Sequence, residues 1–122
     1  MCLFKKRNSF EKNSKKYVKN KFTFLLERGY KCEYYNRGGE EEFIFVKGRA
    51  QIEVYNFNTP FAPFSFEIVV SDNGFKSDKR ININAFLGVN IEDLKSLSPI
   101  EIVDYYAEIV KSNVERIEKI IF

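Results

Sequence analysis

The chain has 122 residues, 44% of them hydrophobic, 16% aromatic and 30% charged, with a formal net charge of +3. That is one domain of about 100–150 residues, too apolar and aromatic for a disordered chain. It contains no His, which removes His-dependent triads, dyads and zinc sites together. The charge is uneven: residues 1–31 hold ten Lys/Arg against two Glu, and residues 32–122 hold ten against fifteen Asp/Glu. Two unclustered cysteines, Cys2 and Cys32, read as reduced thiols of a cytoplasmic protein rather than a disulfide framework. No stretch approaches the ~20 apolar residues of a membrane span, so no membrane partner is expected. Residues 1–8 are expected to fray, and residues 1–122 to form a single domain.

The first element is helical. Apolar and aromatic residues at Phe10, Tyr17, Val18, Phe22, Leu25 and Leu26 follow a 3.6-residue period. Asn8 and Glu11 have the form of a capping box, and Gly29 suits the C-terminal cap. One continuous helix over residues 9–28 is predicted. Its opposite side carries Lys12, Lys15, Lys16 and Lys19, a basic stripe of the kind that meets a phosphate backbone. With no Arg and no interleaved aromatic residue there, base reading is not expected.

From Tyr30 the period changes to two. Tyr30–Tyr35, Glu42–Lys47, Ala50–Phe57, Phe64–Ser71 and Lys79–Leu87 read as strands, joined by Gly38-Gly39, Gly48-Arg49, a Pro-Phe-Ala-Pro interruption and Asp72-Asn73-Gly74. In the third of these, Ala50, Ile52 and Val54 share one side; in the fourth, Phe64, Phe66, Ile68 and Val70; in the last, Ile81, Ile83, Ala85 and Leu87. Alternation of this kind, with connections too short for crossovers, specifies an antiparallel meander with one wet face. Tyr55, Phe57, Val69 and Phe86 are expected on the uncovered side, with Phe61 and Phe64 beside the prolines at the sheet end.

Asn90–Leu97 reads as a short helical turn. Ser98-Pro99-Ile100-Glu101 opens the final helix with a capping box and Pro at its first position. Val103, Tyr106, Ala107, Val110, Val114, Ile117 and Ile121 form its apolar stripe, and Glu101, Asp104, Glu108, Glu115 and Glu118 an acidic one. The predicted fold is therefore α+β: a two-layer sandwich in which an N-terminal and a long C-terminal helix cover one face of a four- to five-stranded meander.

Chemistry is scarce. No Gly-rich phosphate loop is followed by Lys-Ser/Thr, and Cys32 has no neighbouring base. Glu40-Glu41-Glu42 reads as a solvated, charged hairpin end that protects a strand edge. Glu53 and Glu67 read as solvated carboxylates of the open sheet face, in a fold with no obvious cleft for a glycosidase pair. No catalytic residue, metal or cofactor is expected.

The runs Phe22–Tyr30, Glu42–Gly48 and Ala50–Asn56, in that order of elements, resemble small bacterial immunity-type proteins of polymorphic and contact-dependent toxin systems. The resemblance implies a non-catalytic cytoplasmic protein that binds and occludes one toxin domain. The candidate contacts are Glu53, Tyr55, Phe57, Phe61 and Glu67 on the sheet, and Glu101, Asp104 and Glu108 on the last helix. A nucleic-acid-associated protein using the Lys stripe, and a homodimeric structural domain, are the alternatives.

Overall fold

The computed structural model describes residues 9–58, 63–72 and 80–121, with side chains over 13–58, 63–72 and 80–119. Its elements are α1 (Ser9–Lys21), α2 (Thr23–Glu27), β1 (Lys31–Arg37), β2 (Glu40–Lys47), β3 (Ala50–Phe57), β4 (Ser65–Asp72), β5 (Arg80–Asn82), α3 (Ile83–Leu87), a 3-10 turn (Ile91–Leu94) and α4 (Pro99–Ile121). The five strands form one sheet in the order β1-β2-β3-β4-β5, every pair antiparallel. The fold is the predicted α+β meander with its N-terminal and long C-terminal helices. No helix of the described residues is long and apolar enough to cross a membrane.

The β1–β2 and β2–β3 hairpins have two-residue loops. Gly38 and Gly39 lie at φ 65° and 94°, left-handed values that match the twist of the strands they join and that side chains resist. Gly29, at φ 103°, closes α2: the Tyr30 amide donates to the Leu25 carbonyl at 2.9 Å and the Gly29 amide to Leu26 at 3.0 Å, the paired bonds of a glycine-terminated helix.

One face of the sheet is buried beneath the helices. Phe43 and Phe45 of β2, Ile52 and Val54 of β3, and Phe66, Ile68 and Val70 of β4 cluster with Val18, Phe22 and Leu25 and with Val103, Tyr106, Val110 and Ile117. Phe22 is central, with ring centroids 6.1 Å from Phe45 and 6.4 Å from Phe66, while Tyr106 stands 5.5 Å from Phe66. The helices lie side by side and pair across their charged flanks. Arg28 donates twice to Glu118, at 3.0 and 2.7 Å, and Lys21 stands 3.2 Å from Asp104. The basic N-terminal segment and the acidic last helix thus partly neutralise each other within the fold.

Two predicted elements are corrected. The first helix is not continuous: Phe22 leaves helical geometry at φ −100°, ψ 14°, and Asn13 kinks α1 at φ −118°, ψ 19°. The Thr23 hydroxyl donates back to the Lys19 and Asn20 carbonyls at 3.1 and 2.8 Å, a bond that competes with the helical ladder. The last strand stops at Asn82 rather than Leu87. The Asn82 side chain accepts from the Asn84 amide at 2.8 Å and starts α3 as an N-cap. Its alternating pattern, Ile81-Asn82-Ile83-Asn84, fits a strand and a capped helical turn equally well.

Candidate protein-docking face

The strand register lays out the sheet's other face row by row. Lys31, Val46, Gln51, Ser71 and Arg80 form one row. Glu33, Ile44, Glu53, Val69 and Asn82 form the next. Tyr35, Glu42, Tyr55 and Glu67 follow, then Arg37, Glu40, Phe57 and Ser65. No described helix covers these rows, yet Glu53, Val69 and Ser71 on β3 and β4 are buried, at 6%, 6% and 7% exposure, so Val69 is not the uncovered side chain expected. Carboxylates alternate with aromatic or apolar side chains along both middle rows, because each strand contributes either an acid or a rigid apolar group at the same level. Tyr35 is 42% exposed and Phe57 36%. A concavity of about 540 Å³ opens on this face, floored by Ile44, Val46 and Gln51 and rimmed by Lys31, Glu33 and Lys47.

Glu53 is buried and hydrogen-bonded on this face and is not the solvated carboxylate expected. It is 6% exposed and accepts from the Tyr55 hydroxyl, from Ser71 Oγ at 2.9 Å and from the Arg80 guanidinium at 2.8 Å. Burial pushes its carboxyl upward, but the bonds from Tyr55, Arg80 and Ser71 outweigh it and hold the group below the usual carboxylate value. Tyr55 responds in the opposite direction: burial and the bond to Glu53 push its hydroxyl up to about 12. Arg80 also donates to the Tyr55 hydroxyl at 3.2 Å. The cluster locks the Tyr55 ring in place, since Tyr carries few torsions and its polar tip is satisfied.

Five acids (Glu33, Glu40, Glu42, Glu53, Glu67) face three bases (Lys31, Arg37, Arg80) across the described rows. Two of the acids are paired, Glu42 with Arg37 at 3.4 Å and Glu53 with Arg80. The face therefore carries a slight negative excess on a chain whose formal charge is +3.

The remaining candidates are scattered. Glu67 lies on the face, exposed, diagonal to Glu53 across the β3–β4 register. Phe61 lies outside the described residues. Phe86 is displaced from the face: as part of α3 it packs half-buried against the core, beneath the Arg116 guanidinium at 5.1 Å. Glu101 closes the capping box of α4, accepting from the Ser98 amide at 2.9 Å, while Ser98 Oγ accepts from the Glu101 amide at 3.3 Å. Asp104 accepts from the Tyr17 hydroxyl at 2.5 Å as well as pairing with Lys21. Glu108 is exposed on the helical layer, away from the open face. Lys16 and Lys19 are exposed on α1, but Lys15 lies 4.2 Å over the Tyr34 ring; the Lys12 side chain lies outside the described residues.

The Glu40–Glu42 hairpin end is likewise corrected. Glu41 points to the helical side, 5% exposed, and accepts from Ser14 Oγ at 2.7 Å, Asn56 Nδ2 at 2.8 Å and the Tyr34 hydroxyl at 2.5 Å. Burial and the bond to Glu41 push the Tyr34 hydroxyl up to about 12. Sequence reasoning missed this anchor, and missed Glu33, Tyr35, Ile44 and Val46 as members of the open face, while the alternation of the last strand put Arg80 opposite its apolar side, as found. Extending the two-residue alternation through β1 and β2 would have placed all four.

No group of three or more His, Cys, Asp or Glu among the described residues could hold a metal ion. No protein-family model, curated protein or solved structure gives a significant match to the chain.

Proposed function

We propose that this chain is a non-catalytic protein-binding module of the immunity type, which neutralises a bacterial toxin domain in the cytoplasm by covering its active surface. The observation that carries the reading is the open sheet face. Rigid tyrosines and half-buried apolar groups alternate there with carboxylates on a stiff antiparallel scaffold. Aromatic anchors within a polar frame are what recognition surfaces enrich. Tyr55, held by Glu53 and Arg80, is preorganised and loses little freedom on binding. The carboxylates would steer a basic partner toward the face, and the aromatic contacts would slow its release.

The test is a growth assay. Co-expression of the chain with the toxin domain encoded beside its gene should rescue cells, and Tyr55→Ala combined with Glu67→Lys should abolish the rescue while the purified variant stays folded. Failure of the wild-type chain to protect, or a neighbouring gene that encodes no toxin, would overturn the reading.

A further inference from the structure

The margin of the sheet formed by β1 is a second surface, adjoining the open face and sharing the β1 side chains Glu33, Tyr35 and Arg37 with it. Among the described residues β1 is paired on one side only, over seven consecutive residues from Lys31↔Val46 to Arg37↔Glu40, without a bulge or a proline. The opposite margin, β5, has three described residues. An intact margin strand presents unpaired amides and carbonyls to any strand that can lie beside it. Lys31, Glu33, Tyr35, Asn36 and Arg37 are all exposed.

The sequence of β1 is complementary to itself. When two copies lie antiparallel with Tyr35 on the two-fold axis, Glu33 of each faces Arg37 of the other, and Tyr34 faces Asn36. Both ion pairs then flank a Tyr35–Tyr35 contact on the open-face side. Opposite charges and aromatic pairs directly across a ladder are favourable, like charges unfavourable. Other registers do worse. Centring on Tyr34 sets Lys31 against Arg37 twice; centring on Glu33 sets two carboxylates together on the axis. Centring on Cys32 or on Asn36 overlaps only three residues, Lys31–Glu33 or Tyr35–Arg37, against five in the Tyr35 register. The Arg37 side chain is 69% exposed and only loosely engaged by Glu42, at 3.4 Å, so it is available to a second copy.

We propose that two copies of this chain pair antiparallel through β1 in the register centred on Tyr35, forming a continuous ten-stranded sheet. The pairing is isologous, so both ion pairs form together, and both open faces end on the same side of the joined sheet. The contact is narrow, which places it among weak, concentration-dependent dimers.

Sedimentation equilibrium of the full chain tests this. The weight-average mass should rise with concentration from 14.4 kDa toward twice that value. Glu33→Arg and Arg37→Glu each set like charges across both ends of the contact, and each alone should weaken dimerisation at least tenfold. An equimolar mixture of the two should dimerise again, because every Arg then meets a Glu. That recovery also shows that neither variant has lost its fold. A wild-type chain monomeric up to its solubility limit, single variants that dimerise as the wild type does, or a mixture that stays monomeric would each overturn the proposal.

Discussion

Glu41 shows how one side chain can tie three elements together without a cation. Its carboxylate takes donors from α1, β1 and β3, namely Ser14, Tyr34 and Asn56. Removing it strands three donors, at least two of them on buried residues. Glu41→Ala should therefore lower unfolding stability by ~1–3 kcal/mol, whereas Glu40→Ala, next to it on the other face, should stay within about 0.5 kcal/mol. Urea titration of both variants gives the comparison, and equal losses would contradict it. The three consecutive glutamates in the sequence look alike; only the strand alternation separates Glu41 from its neighbours. That signal was present, but a buried carboxylate served by neutral donors leaves no charge partner in the sequence to reveal it.

At the scale of elements, the period-two pattern carried β2, β3 and β4 to within about two residues, and the Ser98–Glu101 box located the start of α4. The patterns failed where a polar side chain bonds locally to the backbone. Thr23 breaks the first helix and Asn82 ends the last strand, and both act through hydroxyl or amide geometry that hydrophobic periodicity does not register. Asn82→Ala should remove the α3 cap and cost about 0.5–2 kcal/mol, read as a lower melting temperature. Phe22, at the joint between α1 and α2, contacts the sheet through Phe45 and Phe66. Phe22→Ala should cost ~3–5 kcal/mol, and a loss below about 1 kcal/mol would contradict its central place in the core.

For the whole molecule, the carboxylates and tyrosines set the pH range of the fold. Glu118 is held below the usual carboxylate value by the bonds from Arg28, which, with Tyr30 and Lys47, outweigh its burial; Glu53 is lowered likewise by its three donors. A depressed carboxyl contributes stability above the unfolded-chain value of 4.5, and that contribution disappears as pH falls through the folded value. Stability should thus decline progressively below about 4.5, and Glu118→Gln should flatten that acid limb. Tyr17, Tyr34 and Tyr55 are each raised from 10.0 to about 12, mainly by burial, with bonds to Asp104, Glu41 and Glu53. Their neutral forms favour the fold below pH 10, and this is lost between about 10 and 12. Melting scans against pH, followed with phenolate absorbance, should show tyrosines that ionise only as the chain unfolds; ordinary titration near 10 in the folded chain would contradict the assignment.

The proposed function also belongs to this scale. Helices cover one side of the sheet, and the described part of the other side is left to Tyr35, Tyr55, Phe57 and the acids between them. The period-two alternation made that lopsided arrangement readable in advance, whereas the composition of the face was only half read because the alternation was not followed through β1 and β2, which supply Glu33, Tyr35, Ile44 and Val46. The most direct measurement is calorimetric titration of the toxin domain that the proposed function expects beside the gene into the wild-type chain and into the Tyr55→Ala/Glu67→Lys variant. The account predicts saturable binding by the wild type, at least a hundredfold weaker in the variant, with affinity unchanged by Glu108→Lys on the helical side. Undiminished binding by the open-face variant, or loss of binding only in Glu108→Lys, would contradict it.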